Sequence, residues 1–236
     1  MGSHFQFKQF SIQQDECAMK VGTDGVLLGA WTKIKTSTES ILDIGAGTGL
    51  IALQMAQRSE AMTIDAVESD AQAHGQCVDN FENAPWNDRL FCYHATIQEF
   101  TAEIMEVYDH IISNPPFFDN PSQQELARDR ARNNAHLPFT TLIECVSKLL
   151  SPQGTFATII PARAANHVIE LAQTKNLYPK RICWVKGQPT AKTKRCLLEF
   201  HFDQQEPIET TLVIEHSRHN YTDQYLALVS EFYLKM

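Results

Sequence analysis

Residues 40–50 read SILDIGAGTGL, a short apolar segment followed by three glycines at alternate positions. The apolar residues predict a buried strand, and the spacing after the turn predicts an amphipathic helix that runs to about Arg58. Glycines allow a tight turn and a close approach of a ligand, while the new helix offers unpaired N–H groups. Leu50 stands where the dinucleotide fingerprint has its third glycine, so the pattern is Asp-x-Gly-x-Gly-x-Gly instead.

A second apolar strand, residues 63–67, ends at Glu68, which lies 19 residues after Gly49. A carboxylate at that strand end can accept hydrogen bonds from both ribose hydroxyls of an adenosine that lies across the glycine turn. The turn and the acid together predict a half-fold that binds a nucleoside.

The rest of the chain continues this alternation. Helices are predicted at about 70–82, 139–150 and 221–234, and strands at 90–94, 108–113, 155–161, 181–186, 196–202 and 211–215. The pattern predicts an α/β fold with a mostly parallel sheet, in which ligands bind at the carboxyl ends of the strands. No repeat or boundary is evident, so residues 1–236 are predicted to form one domain. Residues 5–31 and 175–220 are candidate segments for target recognition.

Residues 111–118 read IISNPPFF, an apolar strand that runs into two prolines. The prolines fix their φ angles and remove two N–H donors, so the backbone there is neither helix nor the middle of a sheet. Asn114 and the carbonyl of Pro115 then supply two hydrogen-bond acceptors beside the aromatic face of Phe117. This set suits a planar base with an exocyclic amine, and a plain strand end stopped by proline is the structural alternative.

Residues 5–31 predict a hairpin or strand followed by a helix that Thr23 or Asp24 could cap. Lys20, Thr23 and Asp24 stand just before this helix and could face a ligand. Ordinary capping and surface positions are the alternative for all three.

The net charge of −8 argues against a surface that is basic throughout, so a nucleic-acid partner would have to bind a local basic patch. Residues 175–195 carry seven cations and no acid. A basic loop between two strands is therefore predicted to bind an RNA or DNA backbone, with a merely solubilising loop as the alternative. Arg128, Arg130 and Arg132 either bind phosphates or form a solvated helical face.

The six cysteines are scattered without a Cys-x-x-Cys pair, and the nine histidines lack the spacing of metal ligands. These features predict a reduced, cytoplasmic protein without a metal. No apolar run approaches the roughly 18 residues that cross a bilayer, and the polar start has no signal-peptide core. No membrane partner is expected.

Three motifs in this order, LDIGAGTGL, AVE and ISNPPFF, resemble the S-adenosylmethionine-dependent methyltransferases that modify amino nitrogens through Asn-Pro-Pro-aromatic. Residues 17–31 (CAMKVGTDGVLLGAW) and the end of the chain (YTDQY and FYLKM) are similar to the bacterial tRNA adenine-N6 methyltransferases. The resemblance implies a Rossmann-like class I fold whose mixed, mostly parallel, seven-stranded sheet is flanked by helices. It also implies S-adenosylmethionine as cofactor, and methylation of the N6 amine of the adenine just 3′ of the anticodon in valine tRNA. A monomer is expected.

The resemblance carries roles onto particular residues. The expected catalytic residues are Asn114, Pro115, Pro116 and Phe117. The expected cofactor-binding residues are Lys20, Thr23, Asp43, Gly45, Gly47, Gly49, Glu68, Thr96 and Asn114. The charge pattern, and not the resemblance, gives the expected RNA-binding residues, which are Arg128, Arg132, Lys186, Lys192, Lys194 and Arg195. Two positions depart from the family pattern, because Thr96 stands where Asp is common and Phe117 where adenine-specific members often have Tyr.

Three other functions remain open at this point. A guanine-N2 methyltransferase of rRNA would use the same turn on another amine. A protein glutamine methyltransferase also has Asn-Pro-Pro-aromatic, although the basic residues 175–195 count against it. A non-catalytic RNA-binding module is the third, and the intact glycine turn counts against it.

Overall fold

The computed structural model describes residues 4–17, 19–116 and 137–235. The strands are β1 (His4–Gln6), β2 (Ser11–Gln13), β3 (Ser40–Ile44), β4 (Thr63–Glu68), β5 (Leu90–His94), β6 (Tyr108–Ser113), β7 (Leu150–Pro161), β8 (Tyr178–Lys186), β9 (Arg195–His201), β10 (Ile208–Val213), β11 (Glu215–Ser217) and β12 (Asn220–Tyr221). The helices are α1 (Thr23–Trp31), α2 (Leu50–Arg58), α3 (Ala71–Glu82), α4 (Ile97–Glu103), α5 (Phe139–Leu149), α6 (Ala165–Gln173) and α7 (Asp223–Val229).

The central sheet has the strand order β10-β8-β9-β7-β6-β3-β4-β5. Strand β9 runs antiparallel to β7 and β8, and every other neighbouring pair is parallel. The prediction of a mixed, mostly parallel sheet in a Rossmann-like α/β fold is confirmed. The expected count of seven strands is wrong, because the described residues form eight. Strand β10 covers the edge of β8, whose ladder of N–H and C=O groups would otherwise be open.

The two faces of the sheet carry separate apolar layers. Ile41 and Ile112 point to the face covered by α1, α2, α3 and α7. Leu42 and Ile111, their neighbours along β3 and β6, point to the face covered by α4, α5 and α6. This alternation follows from the two-residue period of a strand. Burial on both faces explains why consecutive residues of the central strands, such as Ile41–Leu42 and Ile111–Ile112, are both apolar.

The start of the chain forms the β1–β2 hairpin followed by α1, as predicted. Asn80 of α3 ties the hairpin to α3 and to the glycine turn: its amide donates to the carbonyls of Gln13 and Thr48, at 2.9 Å each, and its oxygen accepts from the N–H of Gln13. The expected side-chain cap of α1 is wrong. The N-cap residue is Gly22, which has no side chain to accept the bond.

Other boundaries also differ from the sequence-based expectations. Helix α7 begins after its N-cap Thr222 and ends at Val229, shorter than the predicted 221–234. Tyr221 pairs with Glu215 in the β11–β12 hairpin, and beyond the helix Tyr233 forms a β-bridge with Phe7. Strand β7 begins at Leu150, the last residue of the predicted helix, and includes residues 151–154, which were expected to form a loop. Helices α4 and α6 and the β11–β12 hairpin were not predicted. In the described parts of the chain, no helix is both long and apolar enough to cross a bilayer.

Candidate active site

The glycine turn and the Asn-Pro-Pro segment meet because they follow neighbouring parallel strands. Ile44, the last residue of β3, is paired with Ser113, the last residue of β6. The Ser113 hydroxyl donates a 2.8 Å hydrogen bond to the Ile44 carbonyl and locks the two strand ends together. Gly45 and Asn114, the next residue of each strand, are therefore brought to the same place at the carboxyl edge of the sheet.

The three glycines of the turn all have left-handed φ angles, at 75° for Gly45, 54° for Gly47 and 78° for Gly49. A Cβ added to Gly45 or Gly47 would meet no atom within 4 Å, so both face open space. A Cβ on Gly49 would lie 2.5 Å from a ring carbon of Phe81 and 2.9 Å from Cys77 Sγ. Gly45 and Gly47 therefore shape a cradle, whereas Gly49 lets the turn pack on α3.

Glu68 braces this turn through both oxygens of its carboxylate. Its Oε2 accepts from the N–H of Gly47 at 2.8 Å, and its Oε1 accepts from the N–H of Asp70 at 2.9 Å. Each carboxylate oxygen has a second lone pair. Glu68 can therefore hold the turn and still accept hydrogen bonds from the hydroxyls of a ligand.

Two clefts adjoin at this edge, and both are lined by Met19, Gly45, Gly47, Asn114 and Pro115. We name the smaller one, of about 210 Å³, the Glu68 cleft; it is also lined by Ile44, Val67, Glu68, Asp70, Ala73 and Leu137. We name the larger one, of about 480 Å³, the Arg195 cleft; it is also lined by Lys20, Thr23, Asp24, Leu50, Pro161 and Arg195. Asn114 and Pro115 thus stand between two adjoining spaces.

Arg195 lies at the start of β9 and reaches the first turn of α1. Its Nε donates to the Asp24 carboxylate at 2.7 Å, across 171 residues of sequence. Both side chains are about one-third exposed, so solvent screens the pair and it contributes little to stability. The ion pair holds the Arg195 guanidinium and the Asp24 carboxylate side by side on one wall of the Arg195 cleft. The sequence had marked Asp24, with Lys20 and Thr23, as a residue that could face a ligand, but the family resemblance gave it no role.

Asp43 lies behind the glycine turn and lines neither cleft. Its Oδ2 accepts from the N–H of Ala52 in α2 at 3.1 Å, while its Oδ1 has no hydrogen-bond partner among the described residues. The side chain is fully buried, and this burial raises the pKa of its carboxyl to about 7. Asp43 supports the start of α2, and a role in cofactor binding stays a prediction.

Thr96 lies just after β5, at the same edge of the sheet, and lines neither cleft. It caps α4: its hydroxyl accepts from the N–H of Glu99, and its own N–H and O–H donate to Glu99 Oε2 at 2.9 and 2.7 Å. This reciprocal capping box already uses the hydroxyl. A contact of Thr96 with the cofactor stays a prediction.

The basic loop joins β8 and β9 at the edge that carries the clefts. Strands β7 and β8 are both antiparallel to β9, so Pro161 and Lys186 end at the same side of the sheet. The N–H of Ala162 donates to the carbonyl of Lys194 at 3.1 Å, which ties the loop to the end of β7. Lys192 and Lys194 are exposed there. Phe117, Arg128, Arg130 and Arg132 lie outside the described residues.

Several residues that line the clefts, among them Met19, Leu137 and Pro161, were not among the expected site residues. Met19 and Leu137 flank the Glu68 cleft, and Pro161 flanks the Arg195 cleft. Apolar residues of this kind are indistinguishable from core residues until the fold is known. Within the described ranges, no three His, Cys, Asp or Glu side chains form a group that could hold a metal ion, and all six cysteines are free thiols.

Comparisons with known proteins agree with this geometry. The family model described as Methyltransferase small domain matches residues 22–165. A protein of Flavobacterium psychrophilum named tRNA1(Val) (adenine(37)-N6)-methyltransferase is 54% identical, over 98% of this chain and 100% of its own length. A protein of the same name from Christiangramia forsetii is 51% identical, over 98% of each chain.

The fold also occurs in solved structures. A predicted O-methyltransferase of Agrobacterium tumefaciens superposes with a TM-score of 0.68 at 18% identity, covering 89% of this chain and 96% of that one. A likeness at this identity supports the class I methyltransferase fold alone. The 54% and 51% identity to the two curated relatives, over almost the full length of the chain, also assigns it to a family defined by its activity. The chain belongs to the methyltransferase small domain family and, within it, to the tRNA1(Val) (adenine(37)-N6)-methyltransferases.

Proposed function

We propose that this protein transfers the methyl group of S-adenosylmethionine to the N6 amine of adenine 37 in valine tRNA. The observation that carries the proposal is the position of Asn114 and Pro115 between the Glu68 cleft and the Arg195 cleft. A methyl donor in the first space and an amine in the second would meet at these two residues. The two relatives from Flavobacterium psychrophilum and Christiangramia forsetii, which are named for valine tRNA and adenine 37, support the choice of tRNA and of adenine.

The residues of the Glu68 cleft fit S-adenosylmethionine. A Cβ at Gly45 or Gly47 would fill space that the backbone leaves open, as a site for a close-lying ligand requires. Glu68 presents lone pairs for the ribose hydroxyls, and Val67 and Ala73 supply apolar surface beside it. When bound, this cofactor supplies a methyl group made electrophilic by its sulfonium.

Asn114 and Pro115 would activate the acceptor. The exocyclic amine of adenine is a poor nucleophile because its lone pair is delocalised into the ring. Hydrogen bonds from its two protons to the Asn114 side-chain oxygen and the Pro115 carbonyl favour a pyramidal nitrogen and stabilise the positive charge that develops there. Holding the nitrogen close to the methyl group would lower the activation barrier further through proximity.

The Arg195 cleft and the basic loop would receive the RNA. Lys186, Lys192, Lys194 and Arg195 concentrate positive charge at one edge of a chain whose net charge is −8. Such a patch binds phosphates through charge, and an anticodon loop gives up a base from its stack more cheaply than a duplex does. A tRNA substrate supports the expected cytoplasmic location, which stays a prediction, as do the monomer, the absence of a metal, and residues 5–31 and 175–220 as recognition segments.

The test supplies S-adenosylmethionine with a labelled methyl group together with tRNA, rRNA or protein fractions, each in a separate reaction. We expect N6-methyladenosine from the tRNA fraction alone, and an unlabelled tRNA fraction with the Asn114→Ala variant. Label in N2-methylguanosine of rRNA, or in protein, would overturn the substrate. Cofactor binding without label in any fraction would favour the non-catalytic module.

A further inference from the structure

A third cleft of about 470 Å³ adjoins the Arg195 cleft, and Thr23 lines both. We name it the tyrosine cleft, because its walls include Tyr221, Tyr225 and Tyr233. It is built from the β11–β12 hairpin, the first turn of α7, the last described residues and the start of the basic loop at Gly187. Its volume is typical of a small-ligand site. The methyl transfer proposed above makes no use of it.

The tyrosines are held in place by packing. Tyr225 is 3% exposed, and its ring lies 5.4 Å from that of Tyr221 at an interplanar angle of 35°. The ring of Tyr233 lies 5.8 Å from that of Phe7, which is fully buried. Tyr221 and Tyr233 remain partly exposed. The cleft therefore has rigid aromatic walls that keep some accessible surface. Tyrosines that served only to pack the fold would not need this exposed surface.

Polar groups around this cleft suit an RNA strand. Burial raises the pKa of Tyr225 and that of Tyr233, so both hydroxyls stay protonated and carry no charge that would repel a phosphate. Glu215 is the acid that lines the cleft, and its oxygens already accept from Gln188 and from the N–H of His219. The exposed cations Arg218 and Lys235 lie on the same hairpin and chain end. These cations and the aromatic walls together suit a strand that carries both phosphates and bases, and the aromatic walls distinguish RNA from an acidic peptide.

We propose that the tyrosine cleft holds a base next to the target adenine while that adenine occupies the Arg195 cleft. This inference rests on the proposed function. A target base taken out of its stack leaves its neighbours without a stacking partner, and an aromatic wall replaces that partner. Stacking on aromatic side chains is tolerant of base identity, so the cleft would add affinity and register more than sequence choice.

The test combines a protein variant with an altered RNA. Tyr221→Leu removes the aromatic face and keeps an apolar side chain, whereas Tyr221→Phe keeps the ring. The RNA is valine tRNA, assembled by ligation so that the nucleotide 5′ or 3′ of adenine 37 is abasic. Tyr93→Leu is the matched control, because Tyr93 is 40% exposed on β5 at the opposite edge of the sheet.

We expect Tyr221→Leu to raise the KM for intact tRNA about tenfold, or about 1.4 kcal/mol, which is typical of the loss of one stacked base. The affinity for S-adenosylmethionine should not change. One of the two abasic tRNAs should raise the KM of the wild-type protein to a similar extent. Combining that tRNA with Tyr221→Leu should add little, because both changes remove the same contact. Tyr221→Phe and Tyr93→Leu should leave the KM within about twofold.

Several outcomes would overturn the inference. One is that neither abasic tRNA raises the KM of the wild-type protein. Another is that Tyr221→Leu and the abasic tRNA each raise the KM by the same factor whether or not the other change is present. Methylation of intact tRNA would persist in those cases, so the proposed function would stand. A wild-type protein that leaves adenine 37 unmethylated would instead refute the proposed function, and the inference with it.

Discussion

The Glu68 cleft and the Arg195 cleft share one edge of the sheet but are built in different ways. The first is made by a backbone turn and a carboxylate that lie within one β-α-β unit, from Gly45 to Glu68. The second depends on side chains from distant segments, as the bond between Asp24 and Arg195 across 171 residues illustrates. Local backbone geometry thus forms the proposed cofactor site, and the packing of remote segments forms the proposed target site.

This difference indicates where change should be tolerated. A left-handed glycine turn depends on backbone conformation, so a side chain of any kind disturbs it. A wall of exposed or half-exposed side chains can be altered one residue at a time without loss of the fold. Substitutions in the first region should therefore affect cofactor binding or folding, and those in the second should affect binding of RNA.

Asn114 lies where the two clefts meet, so its substitution tests the comparison most severely. We expect Asn114→Ala to lower kcat at least 100-fold while the affinity for S-adenosylmethionine stays within a few fold, because the lost hydrogen bond acts on the developing charge. Single-turnover kinetics and calorimetric titration measure the two quantities. Asn87→Ala, at an exposed asparagine after α3, is the control. Loss of cofactor binding by the Asn114 variant would contradict the assigned role.

Asp43 tests how the glycine turn is supported. Its carboxyl has a pKa of about 7 in the fold against 3.8 ordinarily, so the unfolded chain loses this proton first as pH rises. The contribution of Asp43 to the free energy of unfolding should therefore decrease by about 2 kcal/mol between pH 5 and pH 7. The loss should be complete above pH 7 and absent below pH 4.

Asp43→Asn removes this titration while an amide oxygen can still accept from Ala52. The stability of the variant relative to the wild type should therefore increase from pH 5 to pH 7, as urea unfolding at several pH values would measure. A difference that does not vary with pH would show that Asp43 is ionised in the fold.

Two glycines of the same turn should respond differently to alanine. Gly47→Ala places a methyl group in the open cradle, so we expect at least a tenfold loss of affinity for S-adenosylmethionine. The strained φ should cost about 1–2 kcal/mol of stability. Gly49→Ala drives a methyl group into Phe81 and Cys77, so its main effect should be on the unfolding midpoint.

Gly75→Ala is the matched control for both glycines. Gly75 lies within α3, and an added Cβ there meets no atom within 4 Å. Because alanine favours helix, this variant should gain about 0.5–1 kcal/mol and bind the cofactor normally. Equal effects of Gly47→Ala and Gly49→Ala on cofactor affinity would contradict the assignment of Gly47 to the cofactor cradle and of Gly49 to packing on α3.

The smallest expected effect belongs to the Arg195 cleft. Arg195→Gln should raise the KM for tRNA about threefold to tenfold and lower the salt dependence of RNA binding by about one phosphate contact. The affinity for S-adenosylmethionine should not change. Lys148→Gln is the control, because Lys148 is an exposed cation of α5 that pairs with Glu144. A loss of cofactor affinity in the Arg195 variant would place Arg195 in the cofactor site.

Much of the fold follows from periodicity along the chain. The strand ending at Ile44, the helix from Leu50 to Arg58 and the strand ending at Glu68 were all predicted. Their apolar patterns are strong because β3, β4 and α2 are buried. Helix α4 and the β11–β12 hairpin escaped prediction, since short elements leave too few residues for a period to emerge.

The predicted site residues show the same limit. Gly45, Gly47, Glu68 and Asn114 could be grouped in advance, because carboxyl ends of parallel strands meet at one edge. The structure places Lys20 and Thr23 on the wall of the Arg195 cleft and not of the Glu68 cleft, so their expected contact with the cofactor stays a prediction. Thr96 and Asp43 line neither cleft, since a hydroxyl can cap a helix and a carboxylate can be buried behind a turn. Nothing in a linear motif distinguishes those uses from contact with a ligand.

The amino-acid sequence by itself determined the glycine turn, the acid that follows it, the Asn-Pro-Pro segment and the order of the strands, because each depends on residues close together in the chain. Only the tertiary structure decided that Asp24 meets Arg195, that the basic loop emerges beside Pro161 and that three tyrosines of the chain end line a cleft next to Thr23. Those contacts depend on how β8, β9 and α1 pack, and side-chain packing between remote segments leaves no periodic signal along a single chain.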